Sequence, residues 1–240
     1  MARLSQELVN GIAKLFPDAI FYKPTTKKIV ALTIDDAPCF ADPGDRGTRL
    51  ILDAIAKRNA KYNHLEPAKA TFFIISSQLC ANSSIVAEII AEGHEIANHG
   101  AIDETHALLT PEKFERQLKE AHERLLELTN GSEINWYRPG RGLYNQTMVK
   151  AIANLTAAEN YDLKLVLASM IPFDTFEVTN HPWLTAMYVK QMIFPGAILV
   201  FHAHSFKVAK NTAIALASIL EDLTERGYQI VTLSQLFSQS

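Results

Sequence analysis

The 240-residue chain carries 23 basic and 26 acidic residues, a net charge of −3, and 48% hydrophobic content. That composition describes a globular protein with one large core, and it excludes both a basic surface tracking nucleic-acid phosphates and a strong acidic field. Two cysteines, Cys39 and Cys80, are too few for a disulfide framework, and a single bridge between them stays open.

The N-terminal stretch MARLSQELVNGIAKLF lacks the continuous apolar segment and small-residue cleavage site of a secretory signal, and no apolar run is long enough to span a bilayer. The expectation is therefore a cytoplasmic protein with no membrane partner, or a secreted one if a leader has been trimmed. Leu4, Leu8, Ile12 and Leu15 recur at helical spacing and predict an amphipathic helix within residues 1–20, packed on the body.

Strand-like and helical patterns then alternate. IVALTID (29–35) reads as a buried strand, RGTRLILDAIAKRN as a helix, KATFFII as a strand, SSIVAEIIAEG as a short helix stopped by Gly93, and HEIAN as a strand end. TPEKFERQLKEAHERLLELTNG has Thr110 as N-cap, Pro111 at the first helical position, Glu112 and Glu115 in the first turns and Gly131 at the stop. INWYRP, DLKLVLASM, GAILVFHAH and YQIVTL predict further strands, separated by the helices NQTMVKAIANLTAAEN, HPWLTAMYVKQMIF and KNTAIALASILEDLTERG. About seven strands interleaved with helices, without repeat or linker, predict a single α/β domain over 1–240 with parallel strands over 29–237.

Five strand ends carry reactive side chains: Asp35 with Asp36, His99 with Asp103, Arg138, Asp174 and His202. Two adjacent carboxylates closing an apolar strand repel each other in low dielectric unless a cation compensates. His99 and Asp103, four residues apart, can face one point, and with Asp36 they make three ligands for a divalent cation, leaving a position for water. Taken singly, each residue has a plainer explanation: His99 as a loop histidine, Asp103 as a helix cap, Arg138 as a surface cation, Asp174 as a turn acid. His202 fits no such explanation easily, because an ionisable group ending the run AILVF must be paired or functional. The coincidence at five strand ends favours a catalytic site at one mouth of the sheet.

The series TIDDAP, NHGAID, YRPG, PFD and ILVFH resembles, in order and spacing, the five motifs of the polysaccharide deacetylase family, the NodB homology domain of carbohydrate esterase family 4; the likeness runs from about Ile29 to about Phe237. The resemblance implies a distorted (β/α) barrel and a metal-dependent hydrolase that removes acetyl groups from N-acetylated sugars such as chitin or peptidoglycan. It implies Asp35 as general base, Asp36, His99 and Asp103 as metal ligands, and His202 as general acid. Arg138 would orient Asp35 and keep it ionised, Asp174 would support the machinery, and the backbone N–H of Arg141 would stabilise the oxyanion. The metal would be zinc, with cobalt, nickel or manganese as alternatives.

Several positions depart from the family pattern. Asp103 stands where a second histidine is usual, Ala37 replaces a glycine, Gly100 a serine or threonine, and Arg141 an aromatic residue; no tryptophan follows Asp174, though Phe176 is near, and Val200 replaces a leucine. The departures concentrate on sugar contacts and the third ligand. Two alternatives therefore stand beside sugar deacetylation: an amidohydrolase acting on a small linear or cyclic amide, and a catalytically silent carbohydrate-binding protein. Oligomeric state is left open.

Overall fold

The computed structural model describes residues 1–80, 83–159, 161–170 and 181–238. In chain order it forms α1 (Ala2–Leu15), β1 (Ile29–Ala37), α2 (Arg46–Lys61), β2 (Ala70–Ile74), α3 (Ile85–Ala91), β3 (Glu95–Asn98), α4 (Pro111–Leu128) and β4 (Trp136–Tyr137). There follow α5 (Gln146–Glu159), β5 (Lys164–Leu165), α6 (Pro182–Met192), β6 (Ile198–His202), α7 (Phe206–Glu225), β7 (Gln229–Val231) and α8 (Leu233–Ser238). The strands form one parallel sheet in the order β5-β4-β3-β2-β1-β6, with β7 pairing the start of β1. The sheet curls into a half-barrel wrapped by helices, the distorted (β/α) barrel expected from the sequence.

Strand pleat divides the core in two, because successive side chains point to opposite faces. Val30, Leu32 and Ile34 of β1, Phe72 and Ile74 of β2, and Leu199 and Phe201 of β6 face the helices and join the larger cluster. Ile29 and Ala31, Phe73, Ala97, Trp136 and Ile198 face the other way, into the barrel. Leu233 and Leu236 of α8 fill that interior from below, each fully buried side chain contributing about 1.5–3 kcal/mol. Helix α8 was not legible in the sequence, since six residues show too little periodicity.

Local signals set the helix ends. The Thr110 hydroxyl accepts the backbone N–H of Lys113 and Pro111 opens α4, as expected. Helix α7 starts at Phe206, earlier than its apolar pattern suggests, because the Ser205 hydroxyl accepts the N–H of Val208 and caps it there. Helix α1 forms where expected but is turned the other way. Its buried residues are Ser5 and Val9, with Ala2 and Ala13 packed against the core, whereas Leu4, Leu8, Ile12 and Leu15 are exposed. Small side chains let α1 lie close to the body, and the leucines face outward.

Candidate active site

Pleat parity assembles the site. Continuing the inward series Ile29, Ala31 along β1 gives Thr33 and Asp35; Ala97 on β3 leads to His99, Trp136 on β4 to Arg138, and Ile198 and Val200 on β6 to His202. Asp35 and His202 are register partners across β1 and β6. Four of the residues singled out by sequence thus sit on one inner surface at the carboxyl ends of neighbouring strands.

Asp36 would point outward by the same rule, yet it does not. Its φ of 59° lies in the left-handed region, and the β1–β2 register slips between Ile34 and Ala37. This irregularity swings the Asp36 carboxylate back to the side of Asp35. His99 Nε2 consequently lies 3.2 Å from Asp36 Oδ1 and 3.9 Å from Asp35 Oδ2. Ala37 itself needs no positive φ, so the missing family glycine costs nothing there.

Arg138 anchors the floor. Its Nη1 donates to Asp35 Oδ1 at 2.5 Å and to Thr33 Oγ1 at 2.8 Å, and its Nη2 donates to the carbonyl of Leu167 at 3.1 Å. The guanidinium lies over the Phe73 ring, 4.1 Å from its centroid, in a cation–π contact. Arg138 is 3% exposed and Asp35 4%, so this is a buried, hydrogen-bonded ion pair. Thr33 was not singled out by sequence; its place two residues before Asp35 was the available signal.

Burial pushes the Asp36 carboxyl up, but the hydrogen bond from His99 and the positive potentials of His99, His202 and His204 outweigh it, bringing the carboxyl to about 2. Burial opposes a charge on His99, while Asp35 and Asp36 beside it raise its affinity for a proton above the ordinary value. His204 Nδ1 stands 3.9 Å from Asp36 Oδ2, a second imidazole at the mouth that sequence reasoning passed over although it follows His202 by two residues.

The remaining residues are placed less uniformly. Asp103 lies in the loop after β3, where its Oδ1 forms an ion pair with Arg141 Nη2 at 3.0 Å. Arg141 has a φ of 63° in the single helical turn Gly140–Gly142. Asp174 and Phe176 lie outside the described residues. Cys39 is buried and Cys80 exposed, and both are free thiols; burial pushes the Cys39 thiol up to about 11.

His106 ties these loops together. Its Nδ1 accepts the Gly140 N–H at 3.0 Å and meets the Tyr137 hydroxyl at 2.7 Å, and its Nε2 faces the Ile102 carbonyl at 3.2 Å. With Nδ1 accepting from a backbone N–H, Nε2 carries the proton. Burial lowers the His106 pKa, in keeping with a neutral ring. The imidazole thereby joins the segment bearing Asp103 to the turn bearing Arg141. Gly100, with φ 87°, gives it room, since a Cβ there would overlap the His106 ring.

The donor chemistry suits a divalent cation at Asp36 and His99. A separation of 3.2 Å between carboxylate oxygen and imidazole nitrogen is that of two ligands sharing one ion, given metal–ligand bonds of about 2.0–2.2 Å. His99 Nδ1 is 2.8 Å from the Arg138 carbonyl, which fixes the ring and directs the Nε2 lone pair of the neutral imidazole toward Asp36. Among the described residues, no three His, Cys, Asp or Glu side chains already converge on one point. Asp36 and His99 therefore fit two ligands of a metal site, whereas Asp103 is engaged in an ion pair with Arg141.

Comparison with known proteins identifies the family. The family model described as polysaccharide deacetylase matches residues 22–159. A chitooligosaccharide deacetylase from Rhizobium leguminosarum bv. phaseoli is 30% identical over 230 residues, covering 89% of each protein. The crystal structure of a peptidoglycan N-acetylglucosamine deacetylase in complex with an N-hydroxybenzamide superposes with a TM-score of 0.78 at 26% identity, covering 95% of this chain and 97% of that one. A family 4 acetyl xylan esterase from Clostridium thermocellum, solved with a cobalt ion, gives a TM-score of 0.72 at 25% identity, covering 88% and 91%. Other relatives are longer. The chain spans 31% of a bifunctional xylanase/deacetylase from Pseudobutyrivibrio xylanivorans and 40% of a peptidoglycan deacetylase from Listeria monocytogenes. Among the described residues no helix is long and apolar enough to cross a membrane. With four of the five motif-bearing strand ends gathered at one mouth among the described residues, and the family model matched over more than half of the chain, this chain belongs to the polysaccharide deacetylase family.

Proposed function

We propose that the protein hydrolyses the N-acetyl group of a sugar or polysaccharide, of the chitin or peptidoglycan type, at a divalent cation held by Asp36, His99 and Asp103. The observation that carries this reading is the division of labour between two adjacent carboxylates. Asp35 is held by Arg138, whereas Asp36 is turned toward His99. One acid is thus oriented for proton transfer and its neighbour for ligation.

A bound cation would supply Lewis-acid polarisation of the amide carbonyl and acidify water. The chain's own residues carry the proton traffic. Asp35 accepts the proton of the attacking water as the new C–O bond forms, and Arg138 fixes the carboxylate for that transfer. The N–H of Arg141 donates to the developing oxyanion. His202, register partner of Asp35, protonates the departing nitrogen as the C–N bond breaks, giving acetate and a free amine. Two carboxylates and one imidazole form a harder donor set than one carboxylate and two imidazoles, so cobalt, nickel or manganese rank close to zinc.

The test is acetate release from N-acetylglucosamine oligomers and from peptidoglycan, with metal content measured in parallel, for wild type and Asp35→Asn. Metal-dependent release that Asp35→Asn abolishes without loss of metal supports the reading. Release from small amides alone supports an amidohydrolase. Sugar binding without release from any substrate supports a silent binder, and a family 4 pseudoenzyme whose activity is restored in a mutant resembles this chain at 25% identity. Full activity in Asp35→Asn would overturn the role assigned to that carboxylate.

A further inference from the structure

Helix α1 presents an apolar seam that the other described residues leave uncovered. Leu4, Leu8 and Leu15 are 68%, 65% and 76% exposed, with Met1 equally open. These residues and Gly11 fall at 1, 4, 8, 11 and 15, an unbroken alternation of three and four residues. That is the narrow spacing by which one helix packs along another, not the broad apolar face that a helix buries in its own domain.

Gly11 stands in the middle of the seam. Nothing lies within 4 Å of where its Cβ would stand. A glycine inside a helix is less favourable than alanine, and no contact among the described residues compensates for it.

A second α1 does supply one. When the helix is laid antiparallel on a copy of itself, Leu4 meets the second copy's Leu15 at both ends, and Leu8 meets the gap above Gly11 twice at the centre. In the same register Glu7 flanks Lys14 of the second copy, two opposite-charge pairs related by the two-fold axis. Apolar match, small-for-large match and charge match thus coincide in one alignment. We propose that two copies of this chain pair through α1, antiparallel about a two-fold axis at the Leu8–Gly11 level.

The expected affinity is modest. A 14-residue helix is about 21 Å long, so the contact sits at the small end of specific interfaces. Trp183 and Met187, the large exposed apolar residues of α6 on which α1 packs, can add to it. Within one copy Glu7 already accepts from Arg3 in an exposed ion pair, so Lys14 competes with Arg3 for it.

Sedimentation velocity of the full chain tests the proposal, with Leu8→Glu, Glu7→Lys and the double exchange Glu7→Lys, Lys14→Glu as variants, and with flotation on phosphatidylserine-containing vesicles alongside. The expected result is a monomer–dimer equilibrium in the micromolar range for wild type and a monomer throughout for Leu8→Glu, whose exposed position keeps the fold intact. Glu7→Lys should weaken dimerisation by about threefold or more, the yield of two exposed ion pairs, and the double exchange should restore it. A wild-type monomer at all concentrations, or a dimer indifferent to Leu8→Glu, overturns the proposal. So does vesicle binding by a monomeric wild type that Glu7→Lys strengthens, because added positive charge favours an anionic lipid surface while it opposes this dimer.

Discussion

The main-chain carbonyl of Arg138 lies 2.8 Å from His99 Nδ1, while the guanidinium of the same residue grips Asp35. One residue therefore orients both His99, the proposed cation ligand, and Asp35, the proposed proton acceptor. The two functions separate on mutation, since only the second depends on the side chain.

Replacing Arg138 by methionine is expected to lower the unfolding free energy by about 3–5 kcal/mol, because it strands the buried Asp35 charge. Asp35→Asn strands Arg138 in turn and should cost a similar amount. The double variant should be more stable than the sum of the two losses requires, since neither charge is then left buried alone. Urea denaturation of all four proteins measures the coupling; strict additivity would mean that the 2.5 Å contact contributes nothing. Cation binding should survive in Arg138→Met, because the backbone carbonyl that orients His99 remains.

Arg141 and Asp103 form a partly exposed ion pair, with side chains 56% and 34% accessible. Such pairs contribute about 0.2–1 kcal/mol. Arg141→Gly removes the competitor for Asp103 and accommodates the φ of 63° without a side chain. If Asp103 is the third ligand, calorimetric titration should show cation affinity tightening by about 1.5- to 5-fold. Unchanged affinity in Arg141→Gly, together with unchanged affinity in Asp103→Ala, would remove Asp103 from the ligand set.

Gly100→Ala is expected to disturb the site through His106. The new methyl group would occupy space taken by the imidazole, at a backbone position where φ is 87°. Displacing the ring leaves the Gly140 N–H and the Ile102 carbonyl without their partner, at about 1–3 kcal/mol for each buried group. His106→Leu should reproduce much of that loss. Both variants should lower kcat more than they raise KM, because the loops they loosen carry Asp103 and Arg141. Thermal unfolding together with steady-state kinetics checks this; a stability loss with unchanged kcat would make His106 purely structural.

His122 on α4 gives the protein a pH-dependent weakness away from the site. It is 2% exposed, its ring lies 4.0 Å from that of Tyr161, and its Nδ1 has no hydrogen-bond partner among the described residues. Burial lowers its pKa to about 4, below the unfolded value of about 6.5. The unfolded chain therefore binds the proton first. The contribution of a neutral His122 to stability is complete above about pH 6.5 and is lost as pH falls toward 4. His122→Leu should flatten the decline in denaturation midpoint across that window. His94, lowered to about 4 by burial and the nearby Lys69, has the same sign and should leave a residual slope.

Period-two alternation is a local property of the chain, and it carried the greater part of the site. Once Ile29 and Ala31 face inward, Thr33 and Asp35 must follow, and the same counting places His99, Arg138 and His202. The order of strands and helices, the cap at Thr110 and the four motif-bearing strand ends that the described residues include were equally legible, because each depends on residues a few positions apart. What required the tertiary structure depends on distant partners. The backbone at Asp36 breaks the alternation and brings two neighbouring carboxylates to one histidine. Asp103 is claimed by Arg141, thirty-eight positions along the chain, and His106 bridges two loops that no spacing connects. The outward turn of the α1 leucines was likewise undecidable from a helical wheel: periodicity shows that a face is apolar, and only the shape of the surface beneath determines which face is buried.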